Sequence, residues 1–261
     1  VIPNTYKLKN NQHIVGMGSL KFKVHESDAD PVLQFTCCRK IPTAGWIKFH
    51  GKEVHSTEKL TLCDHEYMVK WKHVSPQDRD GVAKPKIMGF DIEVNSTNPS
   101  AMPKADKIGD KIFQISCVLA RDGDNPNDYE KYLLTLGQPD PDVVGEDVLV
   151  QMFETEASLL EGFTTFIREE NPNIIVGYNI LGFDIPYMIA RAKMNMCIFD
   201  FDKQGFHKFA HAKERIIKWS SSAYKNQEFE FLDAEGRVYV DLLPLVKRDF
   251  KFNNYKLKTI S

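Results

Sequence analysis

The sequence predicts an α/β fold, a mixed sheet with helices, preceded by a smaller and mostly β portion. Three patterns carry that prediction. Short apolar runs broken by turn residues fill 1–84, apolar β-branched and aromatic runs crowd 86–136, and helical and strand periods alternate from 156 onward.

In the first portion, turn signals such as Ser27-Asp28-Ala29-Asp30-Pro31 and Pro42-Thr43-Ala44-Gly45 separate runs such as Trp46-Ile47-Lys48-Phe49 and Tyr67-Met68-Val69-Lys70-Trp71. Ser75 to Gly81 is polar and turn-rich, and marks a boundary. Two domains follow, 1–84 and 85–261. In the second, Lys86–Val94, Lys111–Ala120 and Tyr129–Leu136 read as strands rich in Ile, Phe and Val. Glu156–Glu170 reads as a helix with Leu159, Phe163, Phe166 and Ile167 on one face, Thr155 at its N-cap and Asn171-Pro172 as its stop. Ile174–Tyr178 has strand character. Asp184 and Pro186 open a second helix that runs to about Lys193. Arg237–Val240 reads as a later strand, entered from the turn Asp233-Ala234-Glu235-Gly236.

Composition narrows the class. Of 261 residues, 42% are apolar and 27% charged, enough for a substantial core and close to the average globular balance. No apolar run approaches the roughly 18 residues of a membrane span, and no leader-like start is visible. Five cysteines, odd in number and without a Cys-x-x-Cys pair, read as reduced thiols of the cytosol or nucleus. Val1 in place of Met, and a folded pattern that continues up to Ser261, lead us to expect a piece of a longer chain. The net charge of −2 gives no global nucleic-acid footprint, although residues 202–261 carry 12 Lys and Arg against 8 Asp and Glu. Within that stretch His207, Lys208, His211, Lys213 and Arg215, with Trp219 nearby, suit either the border of a single-strand channel or an exposed helix face. His50, His55, Cys63 and His65 match no standard structural zinc spacing.

Two acidic motifs carry the chemistry. In Phe90-Asp91-Ile92-Glu93, residues two apart on a strand share a face, so Asp91 and Glu93 point together while Phe90 and Ile92 point into the core. Carboxylates this close repel unless a cation lies between them, and hard divalent ions such as Mg²⁺ take oxygen ligands. The alternative is a strand end with two solvated acids. In Gly177-Tyr178-Asn179-Ile180-Leu181-Gly182-Phe183-Asp184-Ile185-Pro186-Tyr187, an acid follows a strand and opens a helix. There the plain alternative for Asp184 is an N-cap.

Phe-Asp-x-Glu followed by Tyr-Asn-x-x-x-Phe-Asp-x-Pro-Tyr resembles the first two exonuclease motifs of family B DNA polymerases. The likeness extends to Val82-Ala83-Lys84-Pro85, to Ile189-Ala190-Arg191-Ala192, to 236–243 and to 255–261. The stretch around Gly45-Trp46-Ile47 is similar to the amino-terminal region of the delta-type and large eukaryotic DNA virus branch. The likeness covers about 37–261 and is densest from 82 onward. Residues 1–36 are not placed by it.

This resemblance implies a ribonuclease H-like exonuclease domain in 85–261 and part of a polymerase amino-terminal domain in 1–84. It implies that Asp91, Glu93 and Asp184 are catalytic and hold two Mg²⁺ or Mn²⁺ ions, Asp91 bridging them. Asn179 and Phe183 then fall where they would shape the site or contact the frayed DNA end. The activity implied is 3′→5′ proofreading, which removes mispaired nucleotides from a DNA 3′ end. The partners implied are primer–template DNA, the remainder of the polymerase chain and, in some members, a processivity factor; no membrane is involved. A viral source would place the work at a viral replication site, otherwise in nucleus or cytoplasm. The family's third motif is expected beyond Ser261, so residues 1–261 alone are expected to be inactive or nearly so. Asp241 is not expected to replace that motif's acid; a capping or structural role suits it better. Two other classes are a degenerate exonuclease fold retained as a DNA-binding scaffold and a stand-alone DEDD-type nuclease. The three motif acids argue against the first, and the polymerase-like upstream region against the second.

Overall fold

The structure, a computed structural model, describes residues 30–221 and 225–260. Two compact units emerge: Val1–Val54 with Tyr67–Val82, and His55–Glu66 with Ala83–Ser261.

In the first unit, helix α1 (Pro31–Arg39) precedes two antiparallel strands, β1 (Trp46–Glu53) and β2 (Tyr67–Gln77). The strands meet the β expectation for this portion, and α1 amends it. Of the turn signal at 27–31, Asp30 and Pro31 lie among the described residues. The Asp30 carboxylate accepts from the N–H groups of Val32 and Leu33, at 2.8 and 2.9 Å, and Pro31 occupies the first turn. No residue of α1 is buried, so there is no apolar stripe for a periodicity argument to find.

The second unit is built on six strands: β3 (Lys86–Val94), β4 (Ile112–Arg121), β5 (Glu130–Leu136), β6 (Val148–Phe153), β7 (Ile174–Gly177) and, later, β10 (Val238–Asp241). Their order is β10-β7-β3-β4-β5-β6, and only β4 runs against its neighbours. Helix α2 (Glu156–Glu170) lies between β6 and β7, and α3 (Asp184–Met194) and α4 (Ile198–Phe201) follow β7. Strands β8 (Lys213–Ser221) and β9 (Lys225–Asp233) pair as a separate hairpin. Helices α5 (Leu242–Asp249) and α6 (Leu257–Ile260) come last. No helix among the described residues is long and apolar enough to cross a membrane.

The core forms where α2 covers one face of the sheet. Thr155 and Ser158 build a reciprocal capping box that starts α2, and Asn171, in the left-handed region at φ 51°, ends it. Leu159, Leu160, Phe163, Phe166 and Ile167 are buried, with the Phe163 ring 5.4 Å from Phe90 and the Phe166 ring 4.8 Å from Tyr132. Along β3 the buried residues are Met88, Phe90 and Ile92, while Asp91 and Glu93 lie on the exposed face. That alternation is the period of two expected of a sheet covered on one side.

Residues 55–66 pack with the second unit. Leu62 N–H donates to Phe206 O and Lys208 N–H to Leu60 O, both at 2.8 Å, and Asn171 Nδ2 donates to Leu62 O at 3.1 Å. The exposed helix face considered for 207–215 is corrected. Lys213 and Arg215 lie on β8, where Arg215 pairs with Asp233 at 3.2 Å, and His211 pairs with Asp202 at 2.6 Å. Antiparallel pairing with β9, a contact distant in sequence, decides for strand here.

A buried ion pair ties the helices to the sheet. Glu156 and Arg191 are each only 2% exposed in their side chains. Glu156 accepts from Arg191 Nε and Ile112 N–H, both at 2.8 Å, and from Asn195 Nδ2 at 2.9 Å. Arg191 Nη1 donates onward to Ala105 O at 3.0 Å and Lys107 O at 2.7 Å. Removing one partner strands a buried charge, which costs about 3–5 kcal/mol. Arg191→Leu is therefore expected to lower stability by about that amount, read from the denaturant midpoint, and Thr155→Ala by only about 1 kcal/mol through its lost cap.

Candidate active site

The site lies at the C-terminal ends of the parallel strands β10, β7 and β3, the edge where open α/β sheets leave a crevice. Strand β7 is short. Its pairing with β3 stops at Gly89 opposite Val176, so the acidic end of β3 continues without a strand on that side. Gly177 closes β7 against Phe90. A Cβ there would stand 2.9 Å from Phe90 O and 2.3 Å from a methyl of Ile180, so only glycine lets the chain turn this close to β3.

Residues 178–183 form a tight loop. The N–H groups of Gly182 and Phe183 donate to Asn179 O at 3.0 and 2.9 Å, and Ile185 N–H donates to Ile180 O at 2.9 Å. Asn179 takes a left-handed conformation at φ 65°, which asparagine tolerates better than most residues. The loop delivers Asp184 to the first turn of α3. Phe183, not Asp184, is the N-cap, and no side chain caps the helix. The plain alternative for Asp184, capping its own helix, therefore does not hold. Its Oδ1 instead accepts from the N–H of Ile92 at 3.3 Å, filling the place a strand would have taken beside β3.

Asp184 is 3% exposed, and its side chain meets that of Asp91 in a hydrogen bond. Burial pushes the Asp184 carboxyl up to about 7, with the neighbouring Asp91 charge adding to the rise. Asp91 is also raised, by burial above all, while its hydrogen bond from Asp184 works the other way. Two neighbouring acids both raised in this way suit a cation: a divalent ion between them would cancel their repulsion. Glu93 lies two residues along the same exposed face of β3. Among the described residues no group of three His, Cys, Asp or Glu side chains is gathered as a metal centre.

Asp91 and Asp184 are thus brought together, and Glu93 shares their strand face. Asn179 and Phe183 lie in the connecting loop. Phe183 packs partly into the core, its ring 5.5 Å from Tyr187, and Asn179 serves the loop through its backbone. Two further residues organise the surroundings. Asp110 accepts from Thr97 Oγ1 at 2.6 Å, Thr97 N–H at 2.7 Å and Lys104 N–H at 2.8 Å, bonds that hold its carboxyl down at about 2 and fold the loop after β3. Asp241 caps α5 through Leu243 N–H at 2.9 Å, as its sequence context suggested, and reaches the 178–183 loop as well. The sequence signals for these two are weak, since the bonds join loops distant along the chain.

A six-stranded mixed sheet with this helix arrangement is the architecture of a ribonuclease H-like exonuclease domain. The profile of DNA polymerase family B, exonuclease domain, matches residues 22–260, and the chain belongs to that family. It is 48% identical to DNA polymerase 120R of Invertebrate iridescent virus 3 over 97% of this chain and 23% of that protein. It is 36% identical to DNA polymerase 037L of Invertebrate iridescent virus 6 over 98% of this chain and 21% of that protein. The DNA polymerase delta catalytic subunit of Oryza sativa subsp. japonica is 31% identical over 95% of this chain and 22% of its own length. The chain thus spans under a quarter of the length of these relatives. Exonuclease domains of this family generally use divalent metals.

The raised acid predicts a pH dependence. A carboxyl at about 7 when folded and near 3.8 when unfolded binds its proton more tightly in the folded state. Its contribution to stability is complete below about 3.8 and disappears as pH rises through about 7. Without divalent ions, Asp184→Asn is therefore expected to melt above wild type at pH 8, by an amount on the order of a few kcal/mol, and to lose that advantage toward pH 4. Thermal unfolding across pH checks this; parallel wild-type and variant curves would contradict it.

Proposed function

We propose that this chain supplies the proofreading part of a family B DNA polymerase, in which Asp91, Glu93 and Asp184 hold divalent cations, Mg²⁺ or Mn²⁺, at a DNA 3′ end. The observation that carries the proposal is the meeting of Asp91 and Asp184, from motifs far apart in sequence, with Asp184 held against β3 by the Ile92 N–H. A bound pair of such ions supplies an activated water and stabilises negative charge on the departing 3′ oxygen. The chain's own part is positional. The backbone of β3 holds Asp91 and Glu93 on one face, and the Ile92 N–H fixes Asp184 beside them. Burial raises the Asp184 carboxyl to about 7, so a cation bound there would compete with a proton for it.

The substrate on this reading is the last phosphodiester of a single-stranded DNA end, and mispaired ends reach the site more often because they unpair at lower cost. Asn179 and Phe183, on the loop that carries Asp184, are proposed to border that end. The unit containing residues 30–54 and 67–82 is proposed to be part of the polymerase amino-terminal domain. Primer–template DNA, the remainder of the polymerase chain and a processivity factor are the proposed partners, in a nucleus or a viral replication site.

The test is made in the full-length polymerase. Changing Asp91, Glu93 or Asp184 to Ala is expected to cut Mg²⁺-dependent shortening of single-stranded DNA by more than the roughly hundredfold reached by outer-shell losses, with DNA synthesis retained. Undiminished shortening in the Asp91→Ala, Glu93→Ala double variant would refute the assignment.

A further inference from the structure

We propose that Asp241 is a positioning residue of this site: its carboxylate sets the place of the 178–183 loop, and through it the place of Asp184. The proposal rests on the metal-site reading above and extends it to a residue outside both acidic motifs.

Asp241 ends β10 directly opposite Gly177, the residue that ends β7. It is 7% exposed, and three backbone N–H groups converge on it. Oδ1 accepts from Asn179 at 2.8 Å and from Leu243 at 2.9 Å, and Oδ2 accepts from Leu181 at 3.0 Å. All three bonds use its oxygens as acceptors. Two of these donors belong to the loop that delivers Asp184, and the third is the start of α5. One side chain thereby joins three pieces of chain at the C-terminal edge of the sheet.

The loop is closed by its own hydrogen bonds. Its turns close on Asn179 O and Ile180 O, and Asn179 sits in a left-handed conformation. With its turns closed in this way, the two bonds from its N–H groups to Asp241 help set where its far end stands over β3. That far end is Asp184, whose contacts with Ile92 and Asp91 leave little latitude. Asp241 acts through the backbone, on the N–H groups of Asn179 and Leu181.

Asp241→Asn separates this role from simple structural support. The amide keeps one oxygen for Asn179 and Leu243 but turns an NH₂ toward the Leu181 N–H, two donors face to face. The full-length polymerase carrying Asp241→Asn is compared with wild type in removing nucleotides from a single-stranded DNA 3′ end as MgCl₂ is varied, with thermal unfolding measured in parallel. Displacing Asp184 weakens ion binding, so the half-saturating Mg²⁺ concentration is expected to rise about 10–100-fold, while kcat at saturating Mg²⁺ recovers and KM for DNA stays within about twofold. A purely structural role would lower the active fraction at every Mg²⁺ concentration and leave the half-saturation point unmoved; that result overturns the proposal. Asp241→Glu, which keeps both acceptors on a longer arm, is expected to lie between wild type and Asp241→Asn in half-saturation, and a value equal to that of Asp241→Asn also counts against the proposal. Asp184→Ala in the same assay separates the two levels. If it retains full activity, the site reading itself falls. If it is inactive and Asp241→Asn shows wild-type Mg²⁺ dependence, only the positioning role falls.

Discussion

One hydrogen bond, from the N–H of Ile92 to the carboxylate of Asp184, joins the two halves of the site. It exists because β7 is four residues long and stops before β3 does. Had β7 continued, the ladder would have used that N–H and a strand would have filled the crevice. The early stop leaves a backbone donor unpaired beside two acidic positions, and an acid from the next helix satisfies it. Gly177 makes the geometry available, since any side chain there would push the turn away from Phe90.

Holding a buried Asp184 beside Asp91 is costly, and the surrounding structure is arranged to resist their separation. On one side Asp241 gathers the loop through its backbone N–H groups. On the other, Tyr187 and Arg191 tie α3 to the loop after β3, Tyr187 Oη donating to Asp110 O at 2.8 Å and Arg191 reaching Ala105 and Lys107. Arg191 in turn is held by Glu156 at the start of α2. Helix α3 is thus fixed at its loop end and along its body. Buried polar groups with complete sets of partners specify one arrangement strongly, because each alternative leaves a group unpaired.

Much of this was legible in the residues. The strand Lys86–Val94 and the helix Glu156–Glu170 coincide with the sequence reading, because each combines a clean period with a local start or stop signal: Pro85 before the strand, Thr155 and Asn171 around the helix. Elements without such signals escaped. Strand β6 is an edge strand with four exposed positions in its middle, so neither alternation nor a buried run betrays it. The β8–β9 hairpin is charged on both strands and draws its order from cross-strand pairing. Arg237, read as the start of a strand, instead lies buried in the turn before β10, donating to Pro172 O at 2.5 Å and to Asn171 Oδ1 at 3.1 Å. These two partners lie more than sixty residues away, where no local pattern points to them.

The sequence by itself determined the chemistry on offer: two carboxylates on one strand face, a third on a helix start, and the spacing that marks the family. Those properties depend on residue type and on backbone periods, which are local. Only the tertiary structure decided that Asp184 leaves its own helix uncapped to serve β3, that Asp91 and Asp184 stand side by side, and that Asp241 bonds to the loop that carries Asp184. Each of these depends on where separate segments stop relative to one another, and chain ends of strands meet through packing of the whole sheet, not through any pattern within a single segment.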